Sequence, residues 1–185
     1  MPTYPKALNA PAGQTTVIGT TIIEQVVQAS KLSPRNRILL PLHKGPEAPL
    51  HRMLNAIQPQ SYIRPHRHLH PPKPETIIVL QGAILCIVFT PSGEIQEVQT
   101  IAAGTDELGF DCEPGVYHTF LSLRTDTVIF EVKPGPYEVN TDKDFAVWAP
   151  PEGSPEAANY LAFLYSLQKV RQYSPPQDEQ PGEMI

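Results

Sequence analysis

Short runs of apolar and β-branched residues, separated by turn signals, fill the middle of the chain. Glycine and proline mark the turns, as at Gly82 and at Pro114-Gly115. Runs of this length, without helical periodicity between them, are typical of antiparallel sandwiches and barrels rather than of alternating strands and helices. We therefore predict an all-β domain. Its strands are expected at residues 76–81, 83–89, 95–101, 108–112, 119–123 and 127–133.

Apolar residues recur at helical spacing on either side of these runs. Residues 22–32 predict a short amphipathic helix that covers the barrel, and Ser154-Pro155 signals a second helix with Leu161 and Leu164 in its apolar stripe. From Ser174 the chain is rich in Pro, Gln, Asp and Glu, which predicts disorder. The expected divisions are an N-terminal lead-in and helix at 1–34, a barrel at 35–150, a C-terminal helix at 151–173 and a tail at 174–185.

Composition narrows the function classes. The 185 residues are 41% hydrophobic and carry a formal net charge of −5, without a basic run. A nucleic-acid or membrane partner is therefore not expected. With neither a signal-peptide core nor an apolar span, we expect a cytoplasmic protein. Cys86 and Cys112 lack CxxC spacing, and we interpret both as buried free thiols.

Candidate metal ligands concentrate in two short stretches. His66 and His68 are two residues apart, so both side chains point the same way on an extended segment, and Glu75 opens the strand that follows. His118 comes after the turn at Pro114-Gly115. Three imidazole nitrogens and one carboxylate suit a divalent iron, manganese, nickel or zinc ion. The pattern predicts a four-ligand metal site.

These stretches resemble the two motifs of the cupin superfamily, an HxH with a downstream Glu and Gly, then PxGxxH. More narrowly, RMLNAIQPQSYIRPHRH, ETIIVLQG and FEVKPGPY resemble the WbuC-type cupin-fold metalloproteins. The likeness covers about Arg35 to Pro150. It implies an all-β cupin jelly-roll β-barrel, with the N- and C-terminal helices added to it. It also implies that the metal ligands are His66, His68, Glu75 and His118.

The chain departs from the cupin pattern at three places. Gln60 stands where cupins usually have a turn glycine, and Pro114 stands one place later than usual. The third departure is the gap before Glu75, which is longer than usual when it is counted from His68. Counting from His70 restores it, so His70 is an alternative ligand. We prefer His66, because Pro71 and a second proline should turn the strand away immediately after His70.

Strand parity suggests the pocket wall. If Glu75 points inward, Ile77, Val79 and Gln81 share its face. In 127–133 the apolar set of Val128, Phe130 and Val132 is favoured for the interior, and the alternative set places a buried Glu131–Lys133 pair near the pocket. Further residues that could orient a ligand are Asn55, Arg64 and Tyr117.

The resulting hypothesis is a divalent-metal-binding cupin with an open coordination position, which binds or acts on a small oxyanion or sugar-type ligand. Lewis-acid polarisation of a carbonyl during isomerisation is one compatible chemistry, and an iron-dependent dioxygenase is another. A non-catalytic cupin that binds or senses a small molecule is the alternative from a different class. Assembly as a homodimer is left open.

Overall fold

Two five-stranded antiparallel sheets form the body of the molecule, and a helix covers the outer face of each. The computed structural model describes residues 4–171. In chain order the elements are α1 (Thr20–Leu32), β1 (Arg37–Pro41), β2 (Leu50–Ile57), β3 (His66–Arg67), β4 (Glu75–Gln81), β5 (Ala83–Phe89), β6 (Ile95–Ala102), β7 (Gly109–Cys112), β8 (Tyr117–Ser122), β9 (Thr127–Pro134), β10 (Asp144–Phe145) and α2 (Pro155–Arg171).

The strand order is that of a jelly roll. One sheet runs β1-β2-β9-β4-β7 and the other runs β10-β3-β8-β5-β6. From β2 to β9, each connection crosses to the opposite sheet except the tight hairpin between β5 and β6. Eight strands that alternate in this way between two sheets form a jelly roll, the architecture of cupins. The predicted cupin fold is confirmed, as a two-sheet sandwich with helices on its outer faces.

Apolar side chains form three layers. In the first, Val26 and Val27 of α1 pack on Ile38, Leu54 and Val128 on the outer face of the first sheet. The second lies on the outer face of the opposite sheet, under α2, and includes Leu85, Leu121, Leu161 and Leu164. The third lies between the sheets and includes Ile77, Val79, Ile84, Phe120 and Ile129. Fully burying one such side chain contributes about 1.5–3 kcal/mol.

The favoured parity of β9 is wrong. Ile129 pairs with Val79 and Asn55 and lies in the interior, whereas Val128 and Phe130 lie in the layer beneath α1. By the same alternation Glu131 and Lys133 point inward, and both are buried. The first sheet needs apolar residues on its outer face because α1 covers it. An apolar β9 residue is therefore no guide to the barrel interior.

Gln81 also lies elsewhere than predicted. A β-bulge between Val79 and Gln81 breaks the alternation of β4. Gln81 is exposed, and its amide donates a hydrogen bond to the carbonyl of Asp126 at 2.7 Å. It ends β4 and contacts the turn before β9, away from the interior.

The turn before the histidines keeps its shape without glycine. Gln60 adopts a φ of 69°, in the left-handed region that favours glycine, and its backbone N–H donates to the Tyr165 hydroxyl of α2. The backbone conformation expected of a cupin glycine is therefore present. It is strained here, because a residue with a Cβ atom disfavours the left-handed region.

The chain ends are described in part. Residues near the N-terminus add a short parallel bridge to the free edge of β1, where Leu8 donates to the carbonyl of Leu39. Cys86 and Cys112 are both buried and free in the part of the chain that is described. Within residues 4–171 no helix is long and apolar enough to cross a membrane. The tail predicted at 174–185 lies outside the described residues.

Candidate metal centre

The jelly roll brings four side chains from three strands to one point between the sheets. His66 of β3 is the direct cross-strand neighbour of His118 of β8. Glu75 is the first residue of β4 and faces them from the opposite sheet. His68 follows β3 by one residue, so it keeps the inward direction of His66.

The four ligand atoms of His66, His68, Glu75 and His118 all lie within 4.8 Å of one another. None of these residues is more than 2% exposed. The Nε2 atom of His118 is 3.1 Å from Oε2 of Glu75, and that of His68 is 3.4 Å from Oε1. The structure therefore places together the four residues that the sequence predicts as ligands, and the group could bind a metal.

Backbone carbonyls orient all three imidazole rings. Nδ1 of His66 lies 3.0 Å from the carbonyl of Arg64, and Nδ1 of His118 lies 3.0 Å from that of Val116. Nδ1 of His68 contacts the carbonyl of Asp142. A carbonyl can only accept, so Nδ1 carries the proton, and in the neutral ring the Nε2 lone pair points toward Glu75. This is the tautomer in which second-shell carbonyls prepare histidines for a metal.

Two of these Nε2 atoms lack a hydrogen bond. Those of His66 and His68 are buried and have no hydrogen-bond partner among the described residues. A buried polar atom without a partner costs about 1–3 kcal/mol. Two such atoms, aimed with a third imidazole at one carboxylate, form a donor set that fits a divalent cation. The residues present therefore fit the predicted metal.

The charges of the cluster depend on one another. Burial lowers the pKa of His66 well below its ordinary range, and the positive charge of Lys143 lowers it further. Burial alone would also lower the pKa of His118, but its contacts with Cys112 and the Glu75 carboxylate raise it to about 10. Burial opposes ionisation of Glu75, yet His118, His68 and Lys133 hold its pKa well below the ordinary value. Glu75 is thus an anion, as a carboxylate ligand must be.

A buried ionic cluster adjoins the four residues. Nζ of Lys133 is 3.0 Å from Asp142, 3.6 Å from Glu131 and 3.8 Å from Glu75. Burial and the Glu75 charge raise the pKa of Glu131 to about 7. Burial would lower the pKa of Lys133, but the three carboxylates raise it above its ordinary value. Lys133 is therefore a cation that faces three carboxylates, and its hydrogen bond is to Asp142.

Cys112 lies directly behind the site. It is the cross-strand neighbour of Glu75, and its sulfur is 3.5 Å from Nδ1 of His118. With Val116 it limits how the His118 ring can turn. The predicted buried, unpaired state of Cys112 agrees with this packing.

The alternative ligand and the other candidates lie at different places. His70 is exposed and lies outside the four-residue group. Tyr117 is on the outer face of β8, where it packs in the layer under α2, with Arg67 over its ring. Asn55 and Arg64, by contrast, line a partly open cavity.

This cavity, of about 580 Å³, lies along the inner face of the first sheet. The four-residue group does not line it. Three lining residues adjoin the group. Lys133 approaches Glu75, and the Asp142 carbonyl accepts from His68. The ring centroids of Phe145 and His66 are 6.1 Å apart. The cavity therefore borders the candidate metal centre and provides a space for a small ligand.

Sequence reasoning missed part of the centre. Asp142 and Lys143 lie in an irregular segment before β10. In such a segment the hydrophobic periodicity cannot predict which side chains point inward. The sequence places Glu131 and Lys133 inward only in the alternative parity of β9, which the FEVK likeness supports. Charged residues at every second position of an otherwise apolar strand were the signal for an ionic interior.

Comparisons with known proteins found one matching family model and several solved structures of low sequence identity. Residues 18–101 match a family model described as a domain of unknown function, DUF6016. No curated protein matches the chain.

Three similar solved structures are KdgF from Halomonas sp., an oxalate oxidase, and the Cnp3 cupin domain of Schizosaccharomyces pombe. KdgF is 16% identical over 59% of this chain and 87% of its own, with a TM-score of 0.45. The oxalate oxidase is 16% identical over 77% and 76%, with a TM-score of 0.46. The Cnp3 domain is 13% identical over 54% and 64%, with a TM-score of 0.40. The fold assignment rests on the strand order of the chain itself.

Proposed function

We propose that the protein binds one divalent metal ion through His66, His68, Glu75 and His118, and that it takes a small oxygen-rich ligand from the adjoining cavity. Iron, manganese, nickel and zinc all suit three imidazole nitrogens and one carboxylate. The WbuC-type likeness of the sequence is consistent with this proposal.

One observation carries the proposal. The Nε2 atoms of His66 and His68 are buried, have no hydrogen-bond partner in residues 4–171, and belong to a group whose ligand atoms lie within 4.8 Å of one another. A purely structural role would leave the His66 atom without a partner and the His68 atom with only a 3.4 Å approach to Glu75. A cation held by the group gives each a partner.

When bound, the metal would act as a Lewis acid toward an oxygen of the ligand, with coordination positions left open by the four protein groups. The protein's own residues do the rest. The three carbonyls that accept from Nδ1 hold the rings in place, and the charge of Lys133 helps to keep Glu75 ionised. At the opposite end of the interior, the apolar layer between the two sheets excludes water.

Metal titration of chelator-stripped protein tests the proposal. We expect one metal ion per chain. We also expect His66→Ala to lower the metal affinity by a factor of about 100 or more, because loss of an outer-shell partner alone typically lowers metal affinity about 10–100-fold. His70→Ala is the matched control, a histidine four residues away and exposed, and should leave stoichiometry and affinity unchanged. Unaltered binding in His66→Ala would contradict the proposal.

Two variants of the function remain as proposals. In the first, the protein is an enzyme, either an isomerase that uses the metal as a Lewis acid or an iron-dependent dioxygenase. In the second, it binds or senses the ligand without turnover. Product analysis under air and under nitrogen, with iron and with zinc or manganese, separates the three. Oxygen uptake with iron indicates the dioxygenase, anaerobic conversion indicates the isomerase, and binding without product indicates the sensor.

A further inference from the structure

We propose that the cavity recognises a small hydroxycarboxylic acid, with Lys143 and Arg64 binding its carboxylate and Asn55 binding a hydroxyl group. This assignment deepens the proposed function, since it names the ligand class of the same site and depends on it. It rests on the charge balance of the interior and on three polar groups that lack protein partners.

The charge balance favours an anionic ligand. Three carboxylates, of Glu75, Glu131 and Asp142, face three lysines, which are Lys73, Lys133 and Lys143. Arg64, which lines the same cavity, adds a further cation, so these carboxylates do not outnumber the cationic side chains around them. A divalent ion then adds two positive charges in a buried place, where excess charge is costly. A bound anion is the simplest compensation.

Two cations are positioned to receive that anion. Lys143 lines the cavity and makes no hydrogen bond or ion pair with any described residue. Arg64 lines the same cavity and donates only to the Ala146 carbonyl, and its buried Nε has no partner in the described chain. Its guanidinium lies over the Phe145 ring at 5.5 Å, which fixes its position. Both side chains can still donate to a carboxylate.

Asn55 supplies the second point of recognition. It is 5% exposed, lies on the inner face of β2 opposite Ile129, and lines the cavity. Its Oδ1 is buried without a hydrogen-bond partner among residues 4–171. An amide that lacks a partner costs stability unless a ligand satisfies it, and a hydroxyl group can both donate and accept. A ligand with a carboxylate and at least one hydroxyl therefore matches this wall.

The size of the cavity agrees with this class. Its volume of about 580 Å³ is enough for a six-carbon sugar acid. Cavities that hold small molecules are typically about 300–1,000 Å³.

Calorimetric titration with three probes of similar length tests the assignment. D-gluconate has the carboxylate and the hydroxyls, sorbitol has only the hydroxyls, and hexanoate has only the carboxylate. We expect the metal-loaded protein to bind gluconate at least tenfold more tightly than either of the other two. Lys143→Met should abolish the preference over sorbitol, as should Arg64→Met, whereas Asn55→Leu should abolish the preference over hexanoate.

Lys31→Met is the matched control, since Lys31 pairs with Asp126 on the surface and should leave all three affinities unchanged. Metal content is measured in the same samples. A metal-loaded wild type that binds gluconate no better than sorbitol, or a Lys143→Met variant that keeps the preference, would overturn the inference. A wild type that takes up no metal would refute the proposed function instead, and the cavity assignment that rests on it would fall with it.

Discussion

The two ends of the sandwich interior differ completely in character, although the same strands build both. On β4, Val79 and Ile77 lie at the apolar end, and Glu75 begins the ionic end. On β9, Ile129 is followed on the same face by Glu131 and Lys133. On β8, Phe120 lies at the apolar end, and His118, two residues closer to the start of the strand, lies at the ionic end.

The difference shows how the fold separates stability from chemistry. The apolar end gains free energy from every side chain that it buries. The ionic end buries carboxylates and lysines that compensate one another. It also buries imidazole nitrogens that lack a hydrogen-bond partner within the described residues. Apolar residues of similar volume are often at least as stable as buried ion pairs, so stability alone does not account for the ionic end.

Ile129→Ala should have the largest effect on stability. Ile129 is fully buried between the sheets, and its truncation leaves a cavity in close-packed surroundings. We expect a loss of about 4 kcal/mol in the free energy of unfolding, within the range for such truncations. Urea unfolding of metal-free protein measures it. Metal stoichiometry should be unchanged, and a coupled loss of metal binding would show that the two ends are not separate.

Lys133→Met should separate stability from metal affinity. Without this ammonium group, Asp142, Glu131 and Glu75 lose their shared cation. We expect the metal-free protein to lose about 3 kcal/mol, at the lower limit for a broken buried pair because Glu131 can take up a proton.

Metal affinity should rise in the same variant, because the site becomes more negative. Urea unfolding with and without metal, combined with metal titration, measures both changes. Lys31→Met, at an exposed pair, is the control and should cost no more than about 1 kcal/mol. A fall in metal affinity would contradict this electrostatic account of Lys133.

Glu152→Gln should have the smallest effect on stability. Glu152 lies at the rim of the cavity and pairs with Arg35 and Arg37. Partial burial would raise the pKa of Glu152, but the two guanidinium groups lower it below the ordinary value. Its contribution is therefore present above pH 4.5 and is lost as pH falls further. Because Glu152 is partly exposed, we expect Glu152→Gln to cost roughly 0.5–1 kcal/mol at pH 7.

The stability difference between wild type and Glu152→Gln should disappear in acid. Unfolding curves at pH 7 and below pH 4 measure it. A difference that persists in acid would indicate a contribution from packing rather than from charge.

The sequence predicted the strands well because each is short, apolar and bounded by Gly or Pro turns. The grouping of His66, His68, Glu75 and His118 also followed from the motifs, since jelly-roll topology brings two distant stretches together. That these residues bind a metal stays a prediction. The inward direction of β9 could not be predicted from alternation, because α1 buries the opposite face of the same strand.

Two other features depend on tertiary context. The bulge that exposes Gln81 has no local sequence signal, since Gly82 alone marks only the turn. The positive φ of Gln60 is imposed by the connection from β2 to the histidines and by the contact with Tyr165. Neither follows from residue preference, which would place glycine at position 60.

Diffraction from crystals of the metal-loaded protein, recorded at the absorption edge of the metal, tests the central claim most directly. The account predicts one anomalous peak per chain at about 2.0–2.2 Å from Nε2 of His66, His68 and His118 and from a Glu75 oxygen. A peak bound by His70, a peak at the stacked His43–His51 pair, or no peak between the sheets would contradict it.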